Sequence, residues 1–365
     1  MKRICLLLSV TLLLLVSCKE KKGNEYLVAC NLPMTGYVGV YGEWIKNGVS
    51  MSLEENRDSL EQNDIDLKII YDDNRGENKD AITILKKQLM NKPDIVVSGL
   101  TGQSMAISEQ LTQYQIPHFL FSFTPLTLEK DKFQFRTFAN FGVEVEHYID
   151  FIKKNNPEKV AFIYLDIQGT TQQVNDVMIP FLQKNYPEAK VLNERYPTSL
   201  MDFKSIVSKV KSFNPDIIIV NGFAGNLISI IKTFHQNNIE MSKIMCSMDL
   251  LDTTNELSRD LLESISVTAP AFVIPAKQTD KMHQWMEAYK QQHGQNPAYT
   301  EAYAYDMMNM ICKATILSSK SSKNLMTSLF QIEMDGVTGK LKFAPNGELY
   351  PNMYTVKFIN GELME

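Results

Sequence analysis

"NKPDIVVSGLTGQ" (Asn91 to Gln103) and "FNPDIIIVNGFAGN" (Phe213 to Asn226) are two copies of one pattern. Each sets Pro-Asp ahead of a run of apolar residues, then a glycine and a polar turn. Each follows a lysine-bearing segment with apolar residues at helical spacing, "GENKDAITILKKQLMNK" before the first and "DFKSIVSKVKSFN" before the second. The apolar runs are continuous rather than alternating, as in strands of a parallel sheet covered on both faces. Upstream, "YLVACNL" from Tyr26 and "KVAFIYL" from Lys159 open the two halves at similar distances from the repeated pattern. One β-α-β-α-β order used twice predicts an α/β protein of two homologous lobes, each a doubly wound, Rossmann-like parallel sheet.

Further strands are expected at "DLKIIYDD" (66–73), "HFLFSF" (118–123), "KVLNERY" (190–196), "KIMCSM" (243–248) and "SISVTAPAF" from Ser264. Helices are expected near 279–293 and 299–318. The end, "GKLKFAPNGELYPNMYTVKFINGEL", reads as a hairpin turning at Pro345-Asn346-Gly347. Material for both lobes therefore recurs late, and several strands are expected to cross between them. Open parallel sheets present their ligand loops at the carboxyl ends of the strands. Facing lobes would then line one cleft with residues 33–41, 73–77, 100–104, 122–126, 166–171, 222–226 and 248–253, and such clefts favour small molecules.

The first of those loops, "PMTGYVGVYGEW" (Pro33 to Trp44), has glycines at 36, 39 and 42. A spacing of three lacks the GxG of a dinucleotide loop and the terminal Gly-Lys-Ser/Thr of a P-loop, which argues against phosphate. It is read instead as a turn that brings backbone close to the cleft and delivers Tyr41 as a wall. Asp72-Asp73-Asn74 is read as a turn and helix cap, not as a metal site.

The chain has 365 residues, enough for two domains, with 44% hydrophobic and 22% charged residues. A net charge of −5 argues against nucleic acid as a partner. Lys2 and Arg3 precede an apolar run from Ile4 to Val16, shorter than the roughly 20 residues a membrane-spanning helix needs, so the start reads as a secretion signal over residues 1–17. Leu15-Val16-Ser17-Cys18 resembles a lipobox, which implies lipidation of Cys18 and a tether over residues 18–25. Cys30, Cys246 and Cys312 stand in apolar runs without metal-ligand spacing, and are expected as buried free thiols. No cofactor is expected.

"MTGYVGVYG", "YDDN", "VVSGLTGQS", "IPHFLFSFTP", "RTFANF", "NPEKVAFIYLD" and "AYAYDMM" stand in an order that resembles the extracytoplasmic solute-binding proteins of the leucine/isoleucine/valine type. The resemblance covers about residues 25–360. It implies the type I periplasmic-binding clamshell, with three crossovers near 138–143, 266–272 and 344–353. Lobe 1 would comprise residues 26–140 and 270–345, and lobe 2 residues 141–269 and 346–365. It further implies a monomer on the periplasmic side of a bacterial membrane that captures a small, amino-acid-like solute and delivers it to an ABC permease.

The resemblance also implies the site. Thr101, Gly102, Gln103 and Ser104 would meet a carboxylate at a helix N-terminus, where partial positive charge and unsatisfied N–H groups collect. Ser122, Phe123 and Thr124 would follow the next strand, with Ser122 and Thr124 as hydrogen-bonding partners. Tyr41, Gln168 and Phe223 would wall the cleft, and Asp249 would partner an ammonium. The residue types leave structural roles open beside these: caps for Thr101, Ser104 and Asp249, turn residues for Ser122 and Thr124, core for Phe223. The serine-rich carboxylate loop of the family is here Gly102-Gln103, which keeps amides, peptides and other small carboxylates open as ligands.

Enzymatic function finds no support, since GxSxG, HExxH and Walker A motifs are absent and the five histidines share no spacing. A sensor of the same fold, signalling to a membrane receptor, is the alternative to transport.

Overall fold

The computed structural model describes residues 24–122, 128, 133–321 and 324–365. In the first half, β1 (Glu25–Leu32), α1 (Gly39–Gln62), β2 (Asp66–Asp73), α2 (Asn78–Met90), β3 (Ile95–Gly99), α3 (Thr101–Gln113), β4 (His118–Phe121) and β5 (Gln134–Phe135) alternate. The second half repeats the scheme with α4 (Phe141–Asn155), β6 (Lys159–Leu165), α5 (Gln168–Gln172), α6 (Ile179–Asn185) and β7 (Lys190–Tyr196). It continues with α7 (Lys204–Phe213), β8 (Ile217–Val220), α8 (Ala224–Gln236), β9 (Ile244–Cys246), α9 (Arg259–Leu262) and β10 (Ser266–Pro270). Last come α10 (Asp280–His293), α11 (Tyr299–Ser321), α12 (Leu325–Gln331), β11 (Glu333–Asp335), β12 (Lys340–Lys342), β13 (Met353–Ile359) and β14 (Glu362–Met364).

The two sheets show the duplication in their strand order. The first runs β2-β1-β3-β4-β5, all parallel, and the second contains β7-β6-β8-β9-β10, also parallel and in the same relative order. Register repeats as well: Val28 of β1 pairs with Ile95, as Val160 of β6 pairs with Ile217. The Pro-Asp of each copy has a specific task. Asp94 Oδ2 accepts from Leu27 N at 2.7 Å, and Asp216 Oδ2 accepts from Glu158 N and Lys159 N at 2.8 Å. Each aspartate thus ties the head of the third strand of its lobe to the head of the first, satisfying N–H groups outside the ladder.

The C-terminal segment departs from the expected single hairpin. β11 pairs with β12, and β13 pairs with β10 and β14 in the second sheet, so there are two hairpins on either side of residues 345–347. The second turns at Asn360-Gly361, both with positive φ (53° and 77°), the pairing favoured in two-residue hairpin turns. The turn at 345–347 exists, with Gly347 N bonded to Ala344 O at 2.8 Å, but it lies against β5. A Cβ on Gly347 would collide with the Gln134 carbonyl, so this turn serves packing between crossing segments.

Three connections pass between the sheets. The first leaves β5 for α4, the second leaves β10 for α10 and α11, and the third runs from β12 to β13. α11 packs along α1, while Phe343 meets Phe135 of β5 edge-on and Phe330 packs tilted against it, so residues from α11 to β12 join the first sheet. The first and third connections are bound together: Arg136 N donates to Gly347 O and Leu349 N to Arg136 O, each at 3.0 Å. Beneath them lies a buried ion pair, Arg136 Nε to Glu348 Oε1 at 2.9 Å and Nη2 to Oε2 at 2.6 Å, with Asn140 also donating to Glu348.

Candidate functional site

Identical strand order gives each sheet its reversal point between the first and third strands, and there the loops of an open α/β sheet part to admit a ligand. The two reversal points face one another across a cavity of about 320 Å³. From the first sheet come Tyr41 on the first turn of α1, Leu100 to Gln103 at the start of α3, and Phe121 ending β4. From the second come Leu165, Ile167 to Thr170, Asn221 to Phe223, Ser247 and Asp249. Tyr299 and Thr300, opening α11, close one side.

The Pro33–Trp44 loop is tightly constrained. Gly36 has φ +84°, and a Cβ on Gly42 would collide with the Pro33 carbonyl, so α1 folds back directly over the strand it follows and begins at Gly39. Asp73 holds the loop from below, accepting from Thr35 Oγ1 at 2.6 Å, Met34 N at 2.8 Å and Arg75 N at 2.9 Å, and these donors hold its carboxyl below the usual range. This is the turn role read from Asp72-Asp73-Asn74; the helix cap read there is not made, since α2 follows Glu77 and has no side-chain cap.

Tyr41 then reaches across the cavity. Its hydroxyl donates to Asp249 Oδ1 at 3.1 Å and accepts from Ala224 N at 3.3 Å, while its ring meets Phe223 edge-on at 5.4 Å and Trp44 at 5.0 Å. Asp249 lies in a 3₁₀ turn, Met248–Thr253, after β9. Tyr299 donates to its Oδ1 at 3.1 Å and Ser247 to its Oδ2 at 3.3 Å. Asp249 is the one charged side chain lining the cavity among the described residues. Burial, reinforced by the nearby Glu144 carboxylate, pushes its pKa up to about 7, against which the three hydroxyls pull.

Of the residues expected at the site, Tyr41, Thr101, Gly102, Gln103, Gln168, Phe223 and Asp249 line this cavity. Gln103 has its amide engaged: Oε1 accepts from Leu100 N at 3.4 Å and Nε2 donates to Asn78 Oδ1 at 3.1 Å and to the Gly76 carbonyl, a helix-capping arrangement. Gly102 packs on Asn78, whose Oδ1 would lie 2.9 Å from a Cβ there, and the first turn of α3 presents backbone at this point. Ser104 and Ser122 do not line the cavity. Ser104 is buried against Ser98, whose hydroxyl donates to it at 2.7 Å, because the second residue pair of a helix turns back under its own strand. Ser122 is buried too; its carbonyl accepts from Arg136 Nη1 at 2.8 Å. Phe123, Thr124 and Cys18 lie outside the described residues.

Sequence reasoning missed Asn221, Tyr299 and Thr300. Asn221 was open to discovery, since a polar residue ends an otherwise apolar run in the second copy of the pattern. Tyr299 and Thr300 carry no such signal, because α11 joins the cavity only through its packing on α1.

Outside the cavity, His118 is buried between Ser98 Oγ (2.6 Å from Nε2) and Ser108 Oγ (3.3 Å from Nδ1), and burial pushes its pKa down to about 3. It braces α3 against β3 and β4 as a neutral ring. Cys30, Cys246 and Cys312 are buried free thiols, their pKa raised by burial.

Comparison with known proteins comes to the same fold. A family profile described as periplasmic binding protein matches residues 27–362. The solute-binding protein of an ABC transporter from Rhodopseudomonas palustris BisB5, solved with 3,4-dihydroxybenzoic acid, superposes with a TM-score of 0.80 at 20% identity, over 93% of this chain and 95% of that one. The leucine-binding protein LivK of Thermotoga maritima gives 0.77 at 18% identity, over 93% and 97%. LivJ of Streptococcus pneumoniae, solved with isoleucine, gives 0.77 at 17%, over 93% and 98%. A curated relative, Leu/Ile/Val-binding protein homolog 7 of Brucella abortus (strain 2308), is 22% identical over 133 residues, 35% of this chain and 32% of that protein's length. The chain thus matches about a third of the curated relative.

Proposed function

The chain belongs to the periplasmic binding protein family, and on that footing we propose that it captures an amino-acid-like solute between its lobes and delivers it to an ABC permease. Solved relatives of this fold hold either amino acids or aromatic acids. The observation that carries the choice is Asp249, the lone charge among the described residues of the cavity wall. A carboxylate in a low-dielectric wall attracts an ammonium and repels a simple anion. The carboxylate of a zwitterion would lie at the first turn of α3, near Gly102, where the helix dipole and backbone N–H groups favour negative charge. An apolar side chain would then rest among Ile45, Phe121, Phe138 and Leu165, all cavity-lining. Thr124 and Phe123, following β4, are proposed to complete the amino-acid site.

The same reading puts the mature chain outside the cytoplasm as a monomer, held to the periplasmic side of a membrane by a lipid on Cys18. Several acyl chains suffice for stable anchoring, each buried methylene adding about 0.8 kcal/mol.

Thermal denaturation with L-leucine, L-isoleucine, L-phenylalanine, benzoate and 4-hydroxybenzoate tests the ligand class. An amino acid at 100 times its Kd should stabilise the fold by about 2.7 kcal/mol, a shift of several degrees. A response confined to the benzoates, or to none of the five, would rule the amino-acid reading out.

A further inference from the structure

The carboxyl end of the first sheet faces the cleft, and its amino end bears a second hollow, an open groove of about 830 Å³. It is lined where the chain enters the strands, by Tyr26 in β1, Pro93 ahead of β3, Ile116 ahead of β4 and Phe133 ahead of β5, and by Leu325 and Met326 of α12. Tyr26, Ile116, Phe133, Leu325 and Met326 are each only half-buried. Asp94 is the one charged residue lining the groove among the described residues, and its carboxylate is engaged by Leu27 N at 2.7 Å. The groove therefore presents apolar surface with no uncommitted charge to repel an apolar occupant.

The loops that line it also carry large apolar side chains outward. Met90, ending α2 on the way to β3, is 83% exposed, and Tyr114, following α3 on the way to β4, is 59% exposed. Lys92, beside Pro93, and Lys320, two residues after Ser318 of the groove, are exposed as well. Apolar surface gathered in one place marks an interaction site. Met, Tyr and Lys around an apolar groove suit a lipid surface: the ring and the thioether enter the boundary between headgroups and acyl chains, and the ammoniums meet anionic headgroups.

Chain connectivity identifies what covers this face. Tyr26, on the groove wall, follows Cys18 by eight positions, a span of at most about 29 Å. The stretch between holds Lys19, Lys21 and Lys22 ahead of Gly23, against the single acid Glu20. A lipid on Cys18 thus enters its bilayer within that distance of the groove. On so short a tether a contact works at an effective concentration on the order of millimolar, which suffices for a surface too weak to recruit the chain from solution. Resting on the Cys18 anchor proposed above, we infer that the amino-end face of the first sheet, with Met90, Tyr114 and the groove, docks on the bilayer surface that receives the anchor. β1 is eight residues long, so the docked face holds the cleft roughly 26 Å from the lipid, clear to take up solute.

Tryptophan quenching tests the face, with the full chain reconstituted in vesicles of phosphatidylcholine and phosphatidylglycerol, with and without brominated acyl chains. Trp44 and Trp285 are buried, so a tryptophan placed at the surface reports separately from them. Tyr114→Trp is expected to lose at least half of its added emission to brominated lipid. Tyr350→Trp, at a position 62% exposed on the third crossing, is expected to lose none. Adding Met90→Glu, a change at an exposed position that should leave the melting temperature unaltered, should relieve the quenching of Tyr114→Trp. Mass spectrometry of the same preparations reports acylation of Cys18. In an acylated chain, no quenching at position 114, equal quenching at 114 and 350, or quenching unmoved by Met90→Glu would overturn the docking face and leave the anchor standing. Quenching confined to position 114 in a chain without acyl groups would support the face and overturn the anchor. Neither acylation nor quenching would overturn both.

Discussion

Asp249 combines two demands that oppose each other. Its folded pKa, about 7, stands above the ordinary value of 3.8, because burial disfavours the charge. A group raised in this way adds stability at low pH, and the contribution disappears as pH rises through the folded value. The ligand-free protein should therefore lose stability between about pH 4 and pH 7, by up to a few kcal/mol from this group. Asp249→Asn should flatten that slope and melt higher at pH 8, while an amine-bearing ligand binds it at least a hundredfold more weakly. In the wild type, L-leucine affinity should fall about tenfold per unit below pH 7 as the carboxylate takes up a proton. Melting curves at pH 5 and 8 decide the first point; a variant with the wild-type slope would refute the cause assigned here. Asp249 was legible from "CSMD" as a candidate, but its partners were not: Tyr41 lies 208 positions away and Tyr299 lies 50.

Among the connecting segments, the Arg136–Glu348 pair joins the first crossing to the third with both side chains buried, 0% and 3% exposed. Breaking such a pair from one side leaves a buried charge without compensation, whereas replacing both ends with apolar groups restores neutrality. Arg136→Ala should cost about 3–5 kcal/mol in urea unfolding, and the double variant Arg136→Met/Glu348→Leu should cost clearly less. A double variant as unstable as the single one would mean that the pair contributes more than mutual compensation. Most helices and strands could be read from periodicity. The C-terminal hairpin could not be placed correctly, because Pro345-Asn346-Gly347 and Asn360-Gly361 are both good turn sequences, and only the neighbours of each strand select between them. β5, two residues long, carries no periodic signal.

Across the whole molecule, Tyr41 is one of the contacts that fasten one lobe to the other, through Asp249 and the backbone of Ala224, beside Tyr299, which donates to Asp249 and Asp252. Two hydrogen bonds across a cleft, each worth about 1 kcal/mol, shift an open–closed equilibrium by one to two orders of magnitude. Tyr41→Phe should therefore populate the open form. Small-angle scattering of the ligand-free protein should report a larger radius of gyration, and emission of Trp44, in contact with Tyr41, should change with it. An unchanged radius together with unchanged L-leucine affinity would remove Tyr41 from the closure mechanism.

The duplicated lobe, its parallel sheets and most of its cavity-lining loops were readable from residues 26–248, because continuous apolar runs and helical spacing are local consequences of strands buried on both faces. Which polar groups meet in the cavity was not readable. Tyr41, Asn221, Asp249, Tyr299 and Thr300 come from four separate stretches of chain, brought together by two sheets facing each other and by α11 returning to α1. The burial and raised pKa of Asp249 are properties of that convergence. Desolvation acts on a group's surroundings in space, and the order of residues along the chain does not encode it.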